Sequence, residues 1–137
     1  LAIAARRLPA APCGAEEISF GAGDLPVLRL LGRERAVSAG LSGERAEDLT
    51  IAVNEAASNT VSHTGAPGTF RMWQDATAFV CEICDTGQIL DPMAGRRPAG
   101  AVGDGGHGMH VVNQLCDLVE LRTGPWGTAV RMHMDRA

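Results

Sequence analysis

The chain has 137 residues, 45% hydrophobic and 20% charged, the composition of one globular domain with a modest core. Its 12 basic residues against 16 acidic ones give a net charge of -4, too acidic and too dispersed for a surface that holds nucleic acid by counterion release. All 12 basic residues are Arg. The absence of Lys excludes a P-loop lysine, a protein-kinase strand lysine and Schiff-base chemistry. Phosphate, if handled at all, must be handled by backbone amides, a metal and arginine.

Residues 1–15 are rich in Ala, Arg and Pro around Pro9 and Pro12 and read as an interdomain linker, so residues 16–137 are expected to form the domain, the C-terminal piece of something longer. No apolar run approaches the ~18 residues of a membrane span. A soluble, cytoplasmic chain with no targeting segment is therefore expected. Residues 16–20 predict a short strand. Asp24 is placed to cap a helix over residues 26–39, with Pro26 in its first turn and Gly40 at its C-terminus. Ser42 is placed to cap a longer helix over residues 43–63, closed by Gly65 and Pro67; its positions Leu49, Val53, Ala56, Ala57 and Thr60 recur at helical spacing and define one buried stripe.

Residues 69–74 and 77–85 read as two strands joined by a tight turn at Asp75-Ala76. Cys81 and Cys84 have C-x-x-C spacing, yet on a strand residues three apart face opposite ways. Core thiols in a reducing compartment are expected there, not a zinc or redox pair. Residues 86–106 are Gly-, Pro- and Arg-rich, a length that in so small a domain suggests a functional lid. A helix over residues 108–116 follows, and then strands over 118–123 and 128–134 joined by Gly124-Pro125-Trp126-Gly127. The order β-α-α-β-β-lid-α-β-β implies an α+β fold, a two-layer α/β sandwich. Its sheet is mixed and mainly antiparallel, with three helices on one face.

Four features sit where chemistry could occur. Glu55, Asn59 and His63 fall on one stripe of the long helix, at the edge of its apolar face. They read either as solvated helix polars or as a proton acceptor, a hard-cation ligand and a phosphate contact. Asp85-Thr86-Gly87 ends a strand; it is an ordinary Asp-x-Gly turn or an acceptor beside a glycine that admits a ligand. Gly105-Gly106-His107-Gly108-Met109 opens a helix, where free amides and the dipole favour phosphate. Gly127-Thr128 leads the last strand, as a turn residue before a β-former or as a hydroxyl aimed at a ligand.

The ordered set is more telling than any member. The segment Ile51-Ala52-Val53-Asn54-Glu55-Ala56-Ala57-Ser58-Asn59-Thr60-Val61-Ser62-His63-Thr64-Gly65 resembles the N box of the gyrase, chaperone, histidine-kinase and mismatch-repair (GHKL) ATPase superfamily. Asp85-Thr86-Gly87 resembles its first glycine box and Gly106-His107-Gly108-Met109 its second. The compact plan, with Glu44-Arg45-Ala46-Glu47-Asp48-Leu49 ahead of the N box, is most similar to bacterial anti-sigma factors that are serine kinases. The likeness covers residues 16–135.

That resemblance implies the Bergerat ATP-binding fold, ATP and Mg²⁺ as cofactors, and roles residue by residue. Glu55 is implied as the base for a partner's serine hydroxyl, Asn59 as the Mg²⁺ ligand, and His63 as a neighbour of the phosphates. Asp85 is implied as acceptor for the adenine amino group, and Gly87 as the residue that admits the ring. Gly106, His107, Gly108 and Met109 line the phosphates, and Thr128 supports the adenine side. The implied partners are a sigma factor and an anti-anti-sigma protein of STAS type, with no nucleic acid or membrane contact; a homodimer is left open. The helix bearing Arg29, Arg33 and Arg35 is where the resemblance puts partner or dimer contacts. Ile89 stands where the family usually has a second glycine, and the lid core, residues 89–103, offers only Arg96 and Arg97 as cations. Two other functions fit the residues: an ATP-gated interaction module without turnover, and the catalytic domain of a sensor histidine kinase.

Overall fold

A computed structural model of the chain describes residues 2–4, 6–64, 66–86 and 104–136. Among the described residues six strands, β1 (Ala2–Ala4), β2 (Glu16–Phe20), β3 (Gly68–Gln74), β4 (Ala78–Asp85), β5 (Leu118–Gly124) and β6 (Gly127–Asp135), form one sheet in the order β1-β5-β6-β4-β3-β2. β1 joins β5 in parallel and the other four pairings are antiparallel. The helices are α1 (Leu25–Ser38), α2 (Gly43–Thr64) and α3 (Asp104–Leu115). This is the two-layer α/β sandwich expected, with its mixed, mainly antiparallel sheet.

Strand alternation decides which face the helices cover. Phe70 and Met72 of β3, Phe79, Cys81 and Ile83 of β4, Val119 and Leu121 of β5, and Val130, Met132 and Met134 of β6 all point into one core. Against them pack Leu28 and Ala36 of α1, the expected stripe Leu49, Val53, Ala56 and Ala57 of α2, and Met109 and Val112 of α3. Thr60, the last member of that stripe, is also buried. The three described α-helices therefore lie on one face.

Element boundaries follow local chemistry. Gly40 takes φ +101°, and the Leu41 N–H donates to Ala36 O at 3.1 Å, closing α1. The Ser42 hydroxyl accepts the Arg45 N–H at 3.1 Å, the cap expected for α2. Asp24 corrects the expectation made for it. Its carboxylate makes no cap to α1 but accepts the Gly21 N–H at 2.8 Å, closing a short 3-10 turn over Ala22–Asp24. The turn at Asp75-Ala76 is fixed by Asp75 Oδ1, which accepts the N–H groups of Thr77 and Ala78, each at 2.8 Å. α3 starts at Asp104, ahead of the glycines expected to precede it. Within the stretch expected to be a linker, Ala2–Ala4 forms β1, three residues too short to announce a strand by alternation.

The helix-free face of the sheet is charged. Glu82 of β4, only 3% exposed, accepts from Arg71 Nη1 at 3.0 Å through Oε1 and from Arg131 Nε at 2.7 Å through Oε2. Arg131 also lies over the Trp73 ring, 4.9 Å from its centroid. Burial alone would lower the Arg71 pKa, but its pairing with Glu17 and Glu82 outweighs that and raises it. Cys84 faces this side while Cys81 faces the helices. The C-x-x-C pair is thus split across the sheet as strand geometry requires, and Cys84 is half-buried instead of in the main core.

Candidate functional site

Three adjacent strands end in polar side chains on the helix-covered face. Asp85 of β4 is opposite Thr128 of β6, which is opposite Thr123 of β5. Paired residues of an antiparallel ladder point the same way, so one carboxylate and two hydroxyls stand in a row just beyond the apolar layer of Ile83, Val130 and Leu121. The two threonine hydroxyls share a hydrogen bond of 3.1 Å, and both side chains are buried. Gly127 opens β6 at φ +126°, and a Cβ there would lie 2.0 Å from the Asp85 carbonyl oxygen. Only glycine lets β6 begin this close to the end of β4.

The long helix meets this row at one point. The Thr60 hydroxyl donates to Asp85 Oδ2 at 2.7 Å, and Thr60 is 3% exposed. Gly68 makes room for that approach, because a Cβ there would lie 2.9 Å from Thr60 Cγ2 and 2.7 Å from the Phe20 ring. Asn59 immediately precedes Thr60, and Glu55 lies one turn earlier; both are half-buried at the edge of the core. Arg29 of α1 donates to Asn54 Oδ1 at 2.8 Å, which ties the two helices together beside Glu55. Arg33 pairs with Glu47, and Arg35 pairs with Glu16 at 2.6 Å. Each of the three α1 arginines expected at a partner surface thus has an acidic or amide partner within the chain.

His63 is in α2, and Gly106, His107 and Gly108 are in the first turns of α3, but the side chains of His63 and residues 104–108 lie outside the described residues. So do Gly87, Ile89, Arg96, Arg97 and the whole of residues 87–103. With α3 starting at Asp104, the amides that helix geometry leaves without an intrahelical acceptor are those of residues 104–107. Met109 follows them, and its side chain is buried in the core. The sequence-predicted residues Asp85 and Thr128 are therefore brought together, with Asn59 and Glu55 on the helix that touches Asp85.

Two participants escaped sequence reasoning. Thr60 falls in the buried stripe of α2, and a hydroxyl in a stripe otherwise made of Leu, Val and Ala is itself the signal of a buried partner. Thr123 sits at the inward-facing parity of β5, where Val119 and Leu121 precede it, and that break in an apolar alternation is the corresponding signal.

The donor set suits a nucleotide: a carboxylate acceptor flanked by hydroxyls at the sheet end, and an amide and a carboxylate one helical turn apart, suited to a hard cation and to proton transfer. Residues 22–134 match the family described as the histidine kinase-like ATPase domain. A serine-protein kinase RsbW from Halalkalibacterium halodurans is 30% identical over 110 residues, covering 70% of this chain and 67% of that protein. The crystal structure of the RsbU and RsbW domains of a Mycobacterium tuberculosis protein superposes with a TM-score of 0.68 at 17% identity. That match covers 93% of this chain and 34% of the other, a likeness of fold. Among the described residues no helix is long and apolar enough to cross a membrane.

Proposed function

The chain belongs to the histidine kinase-like ATPase domain family, and from that premise we propose that it is an ATP-binding, Mg²⁺-dependent serine kinase of the anti-sigma type, which sequesters a sigma factor and phosphorylates an anti-anti-sigma protein. The observation that carries this reading is the junction of α2 with the sheet end, where Thr60 reaches Asp85 from the helix that bears Glu55 and Asn59. The relative named as a serine-protein kinase supports the choice of reaction.

In this reading the Asp85 carboxylate accepts the adenine amino group, with Thr128 beside it and Thr60 orienting it. Gly87 admits the ring. The free amides at the start of α3, those of residues 104–107 and so of Gly106 and His107, are the phosphate donors in this reading, with Gly108 and Met109 following inside the helix and His63 assigned to the phosphates by the family pattern. The Asn59 amide oxygen is a fitting ligand for Mg²⁺, which when bound neutralises phosphate charge. Glu55 takes the proton from the partner's serine hydroxyl as that oxygen forms its bond to the terminal phosphorus and ADP departs. Phosphoryl transfer depends mainly on alignment and charge neutralisation, so no lysine is required.

The test is incubation with Mg-ATP and a STAS-type partner, comparing wild type with Glu55→Ala. Phosphate is expected on a partner serine with wild type, and none with the variant, while both bind ATP. Transfer undiminished in Glu55→Ala removes Glu55 from the reaction. ATP binding by wild type with no transfer to any partner replaces the kinase by an ATP-gated interaction module.

A further inference from the structure

Between β1 and β2 the chain must cross the whole sheet, because those strands are its two opposite edges. Residues 6–15 make the crossing over the helix-free face. Arg131 Nη2 donates to Pro9 O at 2.7 Å, and the Arg7 guanidinium lies over the Trp126 ring, 5.2 Å from its centroid. Beneath this strap is a cavity of about 530 Å³. Its wall runs from Arg7 and Pro12 to Arg71 and Trp126, and it reaches the strand ends at Asp85 and Thr128, whose side chains point to the opposite face of the sheet.

The contact at Trp126 therefore lands beside the candidate site. Trp126 occupies the turn between β5 and β6, directly before Gly127 and Thr128. Gly127 leaves no room for a Cβ against the Asp85 carbonyl, so turn and strand end meet backbone to backbone. Thr128 is then in register with Asp85 and hydrogen-bonded to Thr123. A shift of the turn passes to the Asp85 edge without a flexible side chain to absorb it, as close packing requires.

We infer that Arg7 and Trp126 are positioning residues for the nucleotide site. The docked strap fixes the β5–β6 turn and with it the Asp85–Thr128 edge, and an adenine nucleotide binds more weakly when the strap is undocked. The inference rests on the reading of that edge as the adenine site. It also gives any load on residues 6–15 a route to nucleotide affinity.

The test uses the full chain as wild type, Arg7→Ala, Arg7→Lys, Trp126→Ala and, as a charge control, Arg6→Ala at the neighbouring exposed position. ATP and GTP affinities are measured by calorimetry and Tm by thermal unfolding. Arg7→Ala and Trp126→Ala are each expected to weaken ATP about two- to fivefold, the range open to a partly exposed cation–π contact, and to narrow the preference for ATP over GTP. Arg7→Lys keeps a cation over the ring and stays near wild type, as does Arg6→Ala. An unchanged ATP affinity in Arg7→Ala and Trp126→Ala, with only Tm lowered, overturns the inference and leaves the strap a stabilising cover. Equal weakening by Arg6→Ala overturns it in favour of a general charge effect. A wild-type chain that binds no nucleotide defeats the site reading first and this inference with it, an outcome visible before any variant is made.

Discussion

Thr60 and Asp85, 25 positions apart in the chain, are joined by one hydrogen bond of 2.7 Å that sets the long helix against the end of β4. The donor is almost fully buried, while the acceptor Asp85 is half-buried. Thr60→Val keeps the shape and removes the hydroxyl; it is expected to lower stability by about 1 kcal/mol in urea unfolding. Thr60→Ser should recover most of that. On the proposed function, Asp85→Asn turns a charged acceptor into an amide and weakens ATP by ~1.5–3 kcal/mol by calorimetry. Unchanged ATP affinity in that variant would remove Asp85 from the base site.

On the opposite face, Glu82 is the hub of a buried ion cluster. Its two oxygens serve Arg71 and Arg131, and the Cys84 thiol lies 3.3 Å from Oε1. Removing the carboxylate leaves Arg131, in a mostly buried position, without its anionic partner and held, among the described residues, only by Pro9 O and the Trp73 ring. Glu82→Ala is therefore expected to cost about 3–5 kcal/mol, far more than an exposed pair such as Arg33–Glu47 would. Chemical denaturation should show a lower midpoint at unchanged slope. The double variant Glu82→Ala/Arg131→Ala should lose less than the two single losses combined, because it leaves no orphaned guanidinium.

The fold was legible because alternation on the strands and the 3.6-residue stripe of α2 both follow from burial on one face, and each residue of Leu49, Val53, Ala56 and Ala57 is buried where its spacing puts it. What was not legible depended on contacts distant in sequence. Nothing local to Asp24 tells whether its carboxylate turns forward to α1 or back to Gly21. Nor do three residues at Ala2–Ala4 reveal that β5 offers them an open edge. The site was readable as far as residue type and order go. The Thr60 contact needed the three-dimensional approach that Gly68 permits.

Asp75 gives a stability signature in acid. Its carboxylate accepts the Thr77 and Ala78 N–H groups, which hold its pKa below the ordinary 3.8. A carboxylate with a lowered folded-state pKa contributes its full stabilisation above the unfolded value and loses it as pH falls through the folded one. Asp75→Ala should thus be less stable than wild type at pH 6. That difference should shrink below pH 3.8, because the wild type is then losing the same interaction. Unfolding midpoints across that range measure it; a difference independent of pH would mean that the turn is held by other contacts.

The thiols divide by burial, and so should their chemistry. Cys13 is exposed. Burial pushes Cys84 up to about 12, with the nearby Glu82 charge adding to it, and burial also pushes Cys116 up to about 12. Cys81, in the core, is raised well above its ordinary value by desolvation. A thiol with a pKa near 12 is ionised at pH 8 in roughly one molecule in ten thousand, and the thiolate is the reactive form. Native protein treated with iodoacetamide at pH 8 should therefore gain one adduct rapidly, at Cys13, and all four only in denaturant, as read by intact mass. The same shifts make stability fall with pH above the ordinary thiol value of 9.0, where the unfolded chain releases thiol protons that the folded chain retains. A second fast adduct in the native protein, at Cys84, would show that the strap over the helix-free face opens on the timescale of alkylation.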